Sequence, residues 1–258
     1  MRRAASVLPP LFTVALLWAA CAAPQREVYD DFEGGKLSKV WDQDRFVPGA
    51  VELQSAVVRA GRGAAQITVH QNDKFEDIGP NQSKPTERAE LLEREDLVTR
   101  EGAGFAYSFS IFLPKDFLVV PTRLVLAQWK QFDRNHTGIV DNPVVAVRYS
   151  GGVLSVTLQT RREKQVLYRT TDEIRGRWLD FLFHLRFARS PDGLVRVWLN
   201  GRQVCDYHGV TAYTEEYGYP KEGRFYFKMG LYRDRMPEPM TAYFDEYRKR
   251  PLSKAEAN

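Results

Sequence analysis

The chain has 258 residues, of which 43% are hydrophobic and 12% aromatic, and its formal net charge is +4 at pH 7. This composition supplies enough apolar residues for a sizeable core and excludes an intrinsically disordered chain. The weak net charge excludes a general nucleic-acid-binding protein, so any attraction for polyanions must be local.

The N-terminus predicts a secretory leader. Arg2 and Arg3 precede an apolar run over 11–20 and small residues around Cys21. A basic start, a short apolar segment and a small-residue exit are typical of signal peptides. We expect a leader over 1–23, one domain over 24–258, and a secreted or periplasmic protein without a transmembrane span. The stretch "LWAAC" resembles a bacterial lipoprotein box, and the alternative is therefore an outer-membrane lipoprotein anchored at Cys21.

Short segments with an apolar period of two follow one another along the chain, and no long segment has a helical period. Gly-Gly, Asp-Gly and Asn-Gly in "YSGGV", "RSPDGL" and "WLNGRQ" predict tight hairpins between neighbours. The predicted strands cover 57–58, 64–70, 105–112, 124–132, 144–149, 153–160, 165–168, 178–188, 195–199, 224–232 and 241–247. We therefore predict an all-β, single-domain jelly roll or concanavalin-like two-sheet sandwich.

Three further patterns place rows of polar residues on one face of a strand, with apolar residues on the other. The rows are Arg88 and Glu90 in "ERAELLERED", Gln128 and Lys130 in "LVLAQWKQF", and Tyr226, Lys228 and Tyr232 in "RFYFKMGLYRD".

Read together, "RAEL", "QWK" and "YFKMGLY" resemble the Arg-x-Glu-Leu, Gln-x-His and Tyr-Phe-Lys-x-Gly-x-Tyr strand motifs of the jelly-roll polysaccharide lyases. Over about residues 28–250 the chain most resembles the heparin lyase I-like family, which is related to heparinase I, glucuronan lyase and alginate lyase. The resemblance implies a lyase that cleaves a uronic-acid polysaccharide, such as heparin, heparan sulfate, glucuronan or alginate, by β-elimination.

The chemistry of β-elimination explains why these residue types belong together. The enzyme must neutralise the uronate carboxylate, accept the C5 proton and protonate the leaving oxygen at C4. The planar fork of Arg88 and the carboxamide of Gln128 suit the first task. Lys228 beside Tyr232 suits proton transfer, because a neighbouring cation can lower the pKa of a phenol.

One residue departs from the motifs, because Lys130 stands where alginate lyases have the histidine of Gln-x-His. Lys130 would then neutralise the carboxylate while Tyr232 handles both proton transfers. The alternative is a histidine from another segment. His70 shares the outward face of its predicted strand with Gln66 and Thr68 and is the first choice; His136, in the loop after the Gln128 strand, is the second.

Other polar residues are expected to line the same concave groove and bind the acidic polysaccharide. They are Tyr226, Arg148, Gln159, Asn142, His136 and Glu90. Alternating polar residues also occur on water-facing sheet surfaces, and for Glu90 we favour that interpretation.

Two other functions stay open. A non-catalytic carbohydrate-binding protein would account for the displaced motif residue Lys130. A glycoside hydrolase on the same scaffold would need two carboxylates that flank the scissile bond, and the expected Glu-x-Asp-x-x-Glu strand is missing. We expect a monomer that needs no cofactor or catalytic metal; a structural calcium ion is compatible with the fold, but no acidic calcium motif indicates one.

Overall fold

The structure is a computed structural model that describes residues 27–77, 84–132, 142–161, 163–214 and 222–257. Within these ranges the chain forms two eight-stranded antiparallel sheets. The predicted leader lies outside the described residues. Among the helices that are described, none is long and apolar enough to cross a membrane.

The first sheet has the order β14-β13-β12-β7-β16-β4-β3, and β1 pairs with β16. Its strands are β1 (Val28–Asp30), β3 (Val51–Gln54), β4 (Ala64–Val69), β7 (Gly104–Phe112), β12 (Trp178–Arg186), β13 (Gly193–Leu199), β14 (Arg202–Gly209) and β16 (Met240–Pro251).

The second sheet has the order β11-β10-β9-β8-β15-β5-β2, and β6 pairs with β15. Its strands are β2 (Trp41–Asp42), β5 (Thr86–Glu93), β6 (Thr99–Arg100), β8 (Leu124–Gln131), β9 (Val145–Ser150), β10 (Val153–Leu158), β11 (Gln165–Thr170) and β15 (Arg224–Asp234). A 3-10 turn (Glu95–Leu97) and a short helix, α1 (Lys254–Ala257), complete the described elements.

The core lies between the two sheets and is rich in aromatic side chains. Trp129 of β8 packs against Phe183 of β12 with 4.7 Å between ring centroids, and Phe227 of β15 packs 4.8 Å from Trp129. All three side chains are fully buried. Because β8 and β15 direct these residues inward, their alternate residues lie on the opposite face of the second sheet. We call that face the site face.

The predicted two-sheet antiparallel sandwich is confirmed, and most predicted strands lie within a few residues of observed ones. The strand predicted at 57–58 is wrong, because residues 55–57 form a bend and the strand in this region is Val51–Gln54. The sequence patterns also missed β14, where polar residues interrupt the apolar alternation, and the very short β1, β2 and β6.

Candidate active site

The three polar rows lie on adjacent strands in the middle of the second sheet. Strand β15 runs between β5 and β8, so that Tyr232 is opposite Arg88 and Lys228 is opposite Gln128. Directly opposite residues of antiparallel strands project from the same face. The structure therefore brings Arg88, Gln128, Lys228 and Tyr232 together on the site face, as the alternation of the sequence predicted.

Gly230 allows β15 to approach β5 closely at this point. Its φ angle is +141°, and a Cβ atom there would lie 2.8 Å from Cα of Glu90 and still nearer the carbonyl oxygen of Ala89. Only glycine combines this conformation with this spacing. The glycine of the Tyr-Phe-Lys-x-Gly-x-Tyr pattern thus leaves room for the β5 backbone at Ala89 and Glu90.

Glu90 connects the polar rows. Its Oε2 accepts hydrogen bonds from Lys228 Nζ at 2.8 Å and from Arg88 Nη1 at 3.4 Å, and its Oε1 accepts one from Gln128 Nε2. Glu90 is 1% exposed, and Lys228 and Gln128 are each 2% exposed. One buried carboxylate therefore holds three donors that come from three strands.

Burial and neighbouring charges together set the pKa values of Glu90 and Lys228. Burial by itself would raise the pKa of Glu90, but the charges of Lys228 and Arg88 outweigh it and hold the pKa below its ordinary value. Burial lowers the pKa of Lys228 to about 8, an effect that the charge of Glu90 partly offsets and those of Arg88 and Lys130 reinforce. Glu90 is thus an anion near neutral pH and cannot serve as a proton donor there.

These contacts change the interpretation of two predicted residues. Glu90 was expected to line the groove or to face water, and it does neither, because its carboxylate is buried among donors from its own sheet. Lys228 was expected to act on Tyr232 and the uronate, but its ammonium is directed at Glu90. The contact and the burial of Lys228 favour a role in positioning Glu90.

Arg88 is held between Tyr232 and two carboxylates. Its guanidinium carbon lies 4.5 Å from the centroid of the Tyr232 ring, a cation–π contact. Besides Glu90, it forms an ion pair with the half-exposed carboxylate of Glu76, which follows β4 in the chain. The guanidinium is thus fixed beside the phenol and already forms an ion pair with the carboxylate of Glu76, which lies outside the strands of the second sheet.

Arg123 approaches the phenol from the β8 side. Its Nη1 lies 3.5 Å from the Tyr232 hydroxyl, and Asp234 fixes it through an ion pair of 3.2 Å and a hydrogen bond to its backbone N–H of 3.0 Å. Sequence reasoning missed Arg123. Strict alternation from Gln128 would place Arg123 on the apolar face of the strand. The register of β8, however, shifts between Val125 and Ala127. Such a bulge reverses the alternation, and nothing in the local sequence signals it.

Lys130 and Tyr226 lie opposite each other on β8 and β15. Lys130 is 8% exposed and is close enough to Lys228 to lower the pKa of that residue. The Tyr226 ring packs against Phe132, with 4.8 Å between centroids. Both residues lie on the site face, on the side of Lys228 away from Tyr232.

Arg148 and Gln159 also lie on the predicted face. Arg148 Nε donates a hydrogen bond to the Thr157 hydroxyl at 3.2 Å. Val145 and Val147, which alternate with Arg148 along β9, are buried in the core. Burial, and then the charge of Arg123, lowers the pKa of Arg148 to about 10. Gln159, next to β10, is 7% exposed.

No hydrogen bond or ion pair joins the His70 side chain to the described residues of the cluster. His70 follows β4, which belongs to the first sheet, and Gln66 and Thr68 lie on the outer face of that sheet. The imidazole is 63% exposed, and its Nδ1 lies 3.5 Å from a carboxylate oxygen of Asp73. The alternation was correct, but it could not show that this strand pairs into the other sheet.

Asn142 and His136 complete the set of predicted site residues. Asn142 is exposed, and its backbone carbonyl accepts a hydrogen bond from the Tyr213 hydroxyl at 3.3 Å. His136 lies outside the described residues.

Comparisons with known proteins agree with this arrangement of strands. A family model described as polysaccharide lyase matches residues 32–248, and the chain therefore belongs to the polysaccharide lyase family. No sequence among the curated proteins matches the chain.

Solved structures show the same fold. The endo-β-1,4-glucuronan lyase from the fungus Trichoderma reesei superposes with a TM-score of 0.66 at 18% identity, over 90% of this chain and 98% of that chain. Alginate lyase Aly36B, as a variant bound to an alginate trisaccharide, gives 0.54 at 12% identity, over 90% and 100% of the two chains. The family 7 alginate lyase A1-II′, as a variant bound to product, gives 0.53 at 15% identity, over 82% and 85%.

Proposed function

We propose that this member of the polysaccharide lyase family cleaves a uronic-acid polysaccharide by β-elimination on the site face. The observation that carries the proposal is the convergence of Arg88, Gln128 and Tyr232 around the buried Glu90–Lys228 pair. The solved lyases with the same fold act on glucuronan or alginate, which makes these polymers the first candidates. The resemblance to the heparin lyase I-like family adds heparin and heparan sulfate.

Neutralisation of the uronate carboxylate is assigned to Arg88, Gln128 and Lys130. Proton removal at C5 creates a second negative charge next to the carboxylate, and this charge must be balanced for the step to proceed. Glu90 accepts one amide hydrogen of Gln128 and so orients the carboxamide, whose second hydrogen remains available as a donor. Arg88 binds the substrate when the uronate replaces Glu76 on its guanidinium.

Both proton transfers are assigned to Tyr232. Its ring is held by the Arg88 guanidinium, and Arg123 Nη1 approaches its oxygen at 3.5 Å. When the phenol oxygen accepts from Arg123, its own hydrogen is directed elsewhere, as a proton donor requires. Because the His70 imidazole contacts Asp73 and none of the described residues of the cluster, Tyr232 is the residue best suited to take the C5 proton and return one to the C4 oxygen.

The carboxylates of the cluster do not favour a hydrolase. A glycoside hydrolase needs one carboxyl group that can donate a proton and a second one opposite to it. Glu90 is held as a buried anion by three donors, and Glu76 is ion-paired with Arg88. Neither arrangement supplies a protonated acid, so elimination fits the described residues better than hydrolysis does.

The test is incubation of the protein with glucuronan, alginate, heparin and heparan sulfate separately. Elimination creates a C4–C5 double bond conjugated with the carboxylate, so ultraviolet absorbance should rise with at least one polymer. Mass analysis should then show products without the added water of hydrolysis. Reducing ends released without absorbance would establish a hydrolase, and binding without any cleavage would establish a carbohydrate-binding protein; either result would reject the proposal.

A further inference from the structure

A row of directly opposite residues connects the cluster with the edge of the second sheet. Tyr232 is opposite Val125, Val125 is opposite Arg148, Arg148 is opposite Ser155, and Ser155 is opposite Arg169. All of them share the site face, because directly opposite residues project to the same side. With about 4.8 Å between neighbouring strands, the row extends about 19 Å from Tyr232.

Positive charge accumulates along this row. The charge of Arg148, burial, and then the charge of Arg123 lower the pKa of Lys164, which directly precedes β11. Arg169 lies exposed on the edge strand itself. We call Arg148, Lys164 and Arg169 the outer cations. Arg148 and Lys164 lie close enough to each other and to Arg123 for their charges to interact, and Arg169 lies two strands from Arg148 in the same row. This concentration of positive charge favours the binding of an anion.

The outer cations are not balanced by acidic side chains. Within the part of the chain that the structure describes, no carboxylate forms an ion pair with any of them, and Arg148 donates to the neutral hydroxyl of Thr157. By contrast, Arg88 and Arg123 each form ion pairs with carboxylates. The uncompensated charge therefore lies on one side of Tyr232, over β9 to β11.

We propose that the outer cations bind the carboxylates of the uronates on one side of the scissile bond, so that the substrate carries an acidic group on consecutive sugars. The polymer then crosses the site face perpendicular to the strands, from Tyr232 towards β11. This inference rests on the proposed function and specifies its substrate class. Arginine binds carboxylates through a planar fork, and a polymer with alternating neutral sugars would leave a cation unmatched.

The test measures binding separately from cleavage. Isothermal titration calorimetry at low salt compares β-1,4-linked glucuronate hexasaccharide with cellohexaose, which has the same linkage and no charge. The proteins are the wild type, Arg148→Gln, and the double variant of the exposed residues, Lys164→Gln with Arg169→Gln. The control is Arg62→Gln, an exposed arginine that precedes β4 of the first sheet.

Loss of a charge-assisted contact should weaken hexaglucuronate binding about tenfold or more in each test variant and leave the control unchanged. Cellohexaose binding should be the same in all four proteins. Unchanged hexaglucuronate affinity in the double variant, or no hexaglucuronate binding by the wild type, would overturn the inference. Unsaturated products from the wild type would still support the proposed function in the first case, and a charge-dependent loss of binding without any cleavage would reject only that function.

Discussion

The ammonium of Lys228 lies 2.8 Å from the carboxylate of Glu90, and both side chains are almost fully buried. This pair joins β15 to β5 and neutralises two charges that are almost completely shielded from water. Since the same carboxylate accepts from Gln128 and Arg88, the pair also fixes two of the three groups that are proposed to bind the uronate. The ion pair thus helps to hold the site residues in place.

Replacing Glu90 with Gln should destabilise the fold. The change leaves the Lys228 ammonium buried without its counter-ion, and breaking a buried pair typically costs about 3–5 kcal/mol. Urea unfolding measures the loss. Glu173→Gln is the control, because the Glu173 side chain is 61% exposed in its pair with Arg175, and an exposed ion pair contributes much less to stability than a buried one. Equal effects of the two changes would contradict the buried ion pair.

The contribution of Lys228 to stability should depend on pH. Burial lowers the pKa of Lys228 to about 8, so between about pH 8 and the ordinary value of 10.5 the unfolded chain binds more protons than the folded chain. The unfolding free energy of the wild type should therefore rise with pH across this window, relative to Lys228→Met, by at most about 1.4 kcal/mol per pH unit. Below pH 8 the difference should be constant until Glu90 titrates.

Unfolding curves from pH 7 to 10.5 check this dependence. Lys254→Met, a change at an exposed lysine of α1, is the control and should follow the wild type in parallel. If the unfolding free energy of the wild type, relative to that of Lys228→Met, falls as pH rises, the predicted direction of the pH dependence is wrong.

Tyr232→Phe should remove turnover while retaining the fold and substrate binding. Loss of a positioned proton-transfer group typically lowers kcat by about 10²–10⁴-fold. The phenyl ring keeps the contact with the Arg88 guanidinium, so KM should change little. Ultraviolet assays on the preferred uronan measure both constants, and Tyr29→Phe, at a tyrosine 65% exposed on β1, is the matched control. Turnover by Tyr232→Phe within tenfold of the wild type would exclude the proton-transfer role.

Glu76→Gln should improve substrate binding. The Glu76 carboxylate occupies the Arg88 guanidinium that the uronate is proposed to use, and it is exposed enough to be displaced. Removing an exposed competing ion pair is expected to lower KM about two- to fivefold, with little change in kcat. Asp96→Asn, in an exposed pair with Arg94, is the control. A rise in KM would show that Glu76 helps to position Arg88 instead of competing for it.

Gly230→Ala should destabilise the protein and displace Glu90. The added methyl group would meet the β5 backbone at Ala89 and Glu90, and φ is already +141°. Gly102→Ala is the matched control, because Gly102 also has a positive φ, +80°, but no atom lies within 4 Å of the position that its added methyl group would take. Both changes strain the backbone, and Gly230→Ala should cost roughly 1–3 kcal/mol more in unfolding free energy because of the clash. Equal losses would mean that β5 can move aside.

The polar rows of the site were predictable because side chains alternate along a strand whatever the strand packs against. This period of two placed Arg88, Gln128 and Tyr232 on polar faces, and the buried valines of β9 confirm the face of Arg148. The alternation failed where the register shifts. At the bulge of β8, Arg123 turns towards Tyr232, although its sequence position indicates the other face.

Partner strands could not be predicted in the same way. Glu90 and Lys228 are 138 residues apart, and their contact depends on β15 pairing with β5 at the register that Gly230 allows. His70 continues the predicted alternation but directly follows β4, a strand of the first sheet. Local sequence thus determined the sandwich class and the polar face of each site strand, because those depend on steric alternation. Long-range strand pairing decided which polar faces meet and which charges are buried, because both depend on contacts between distant segments.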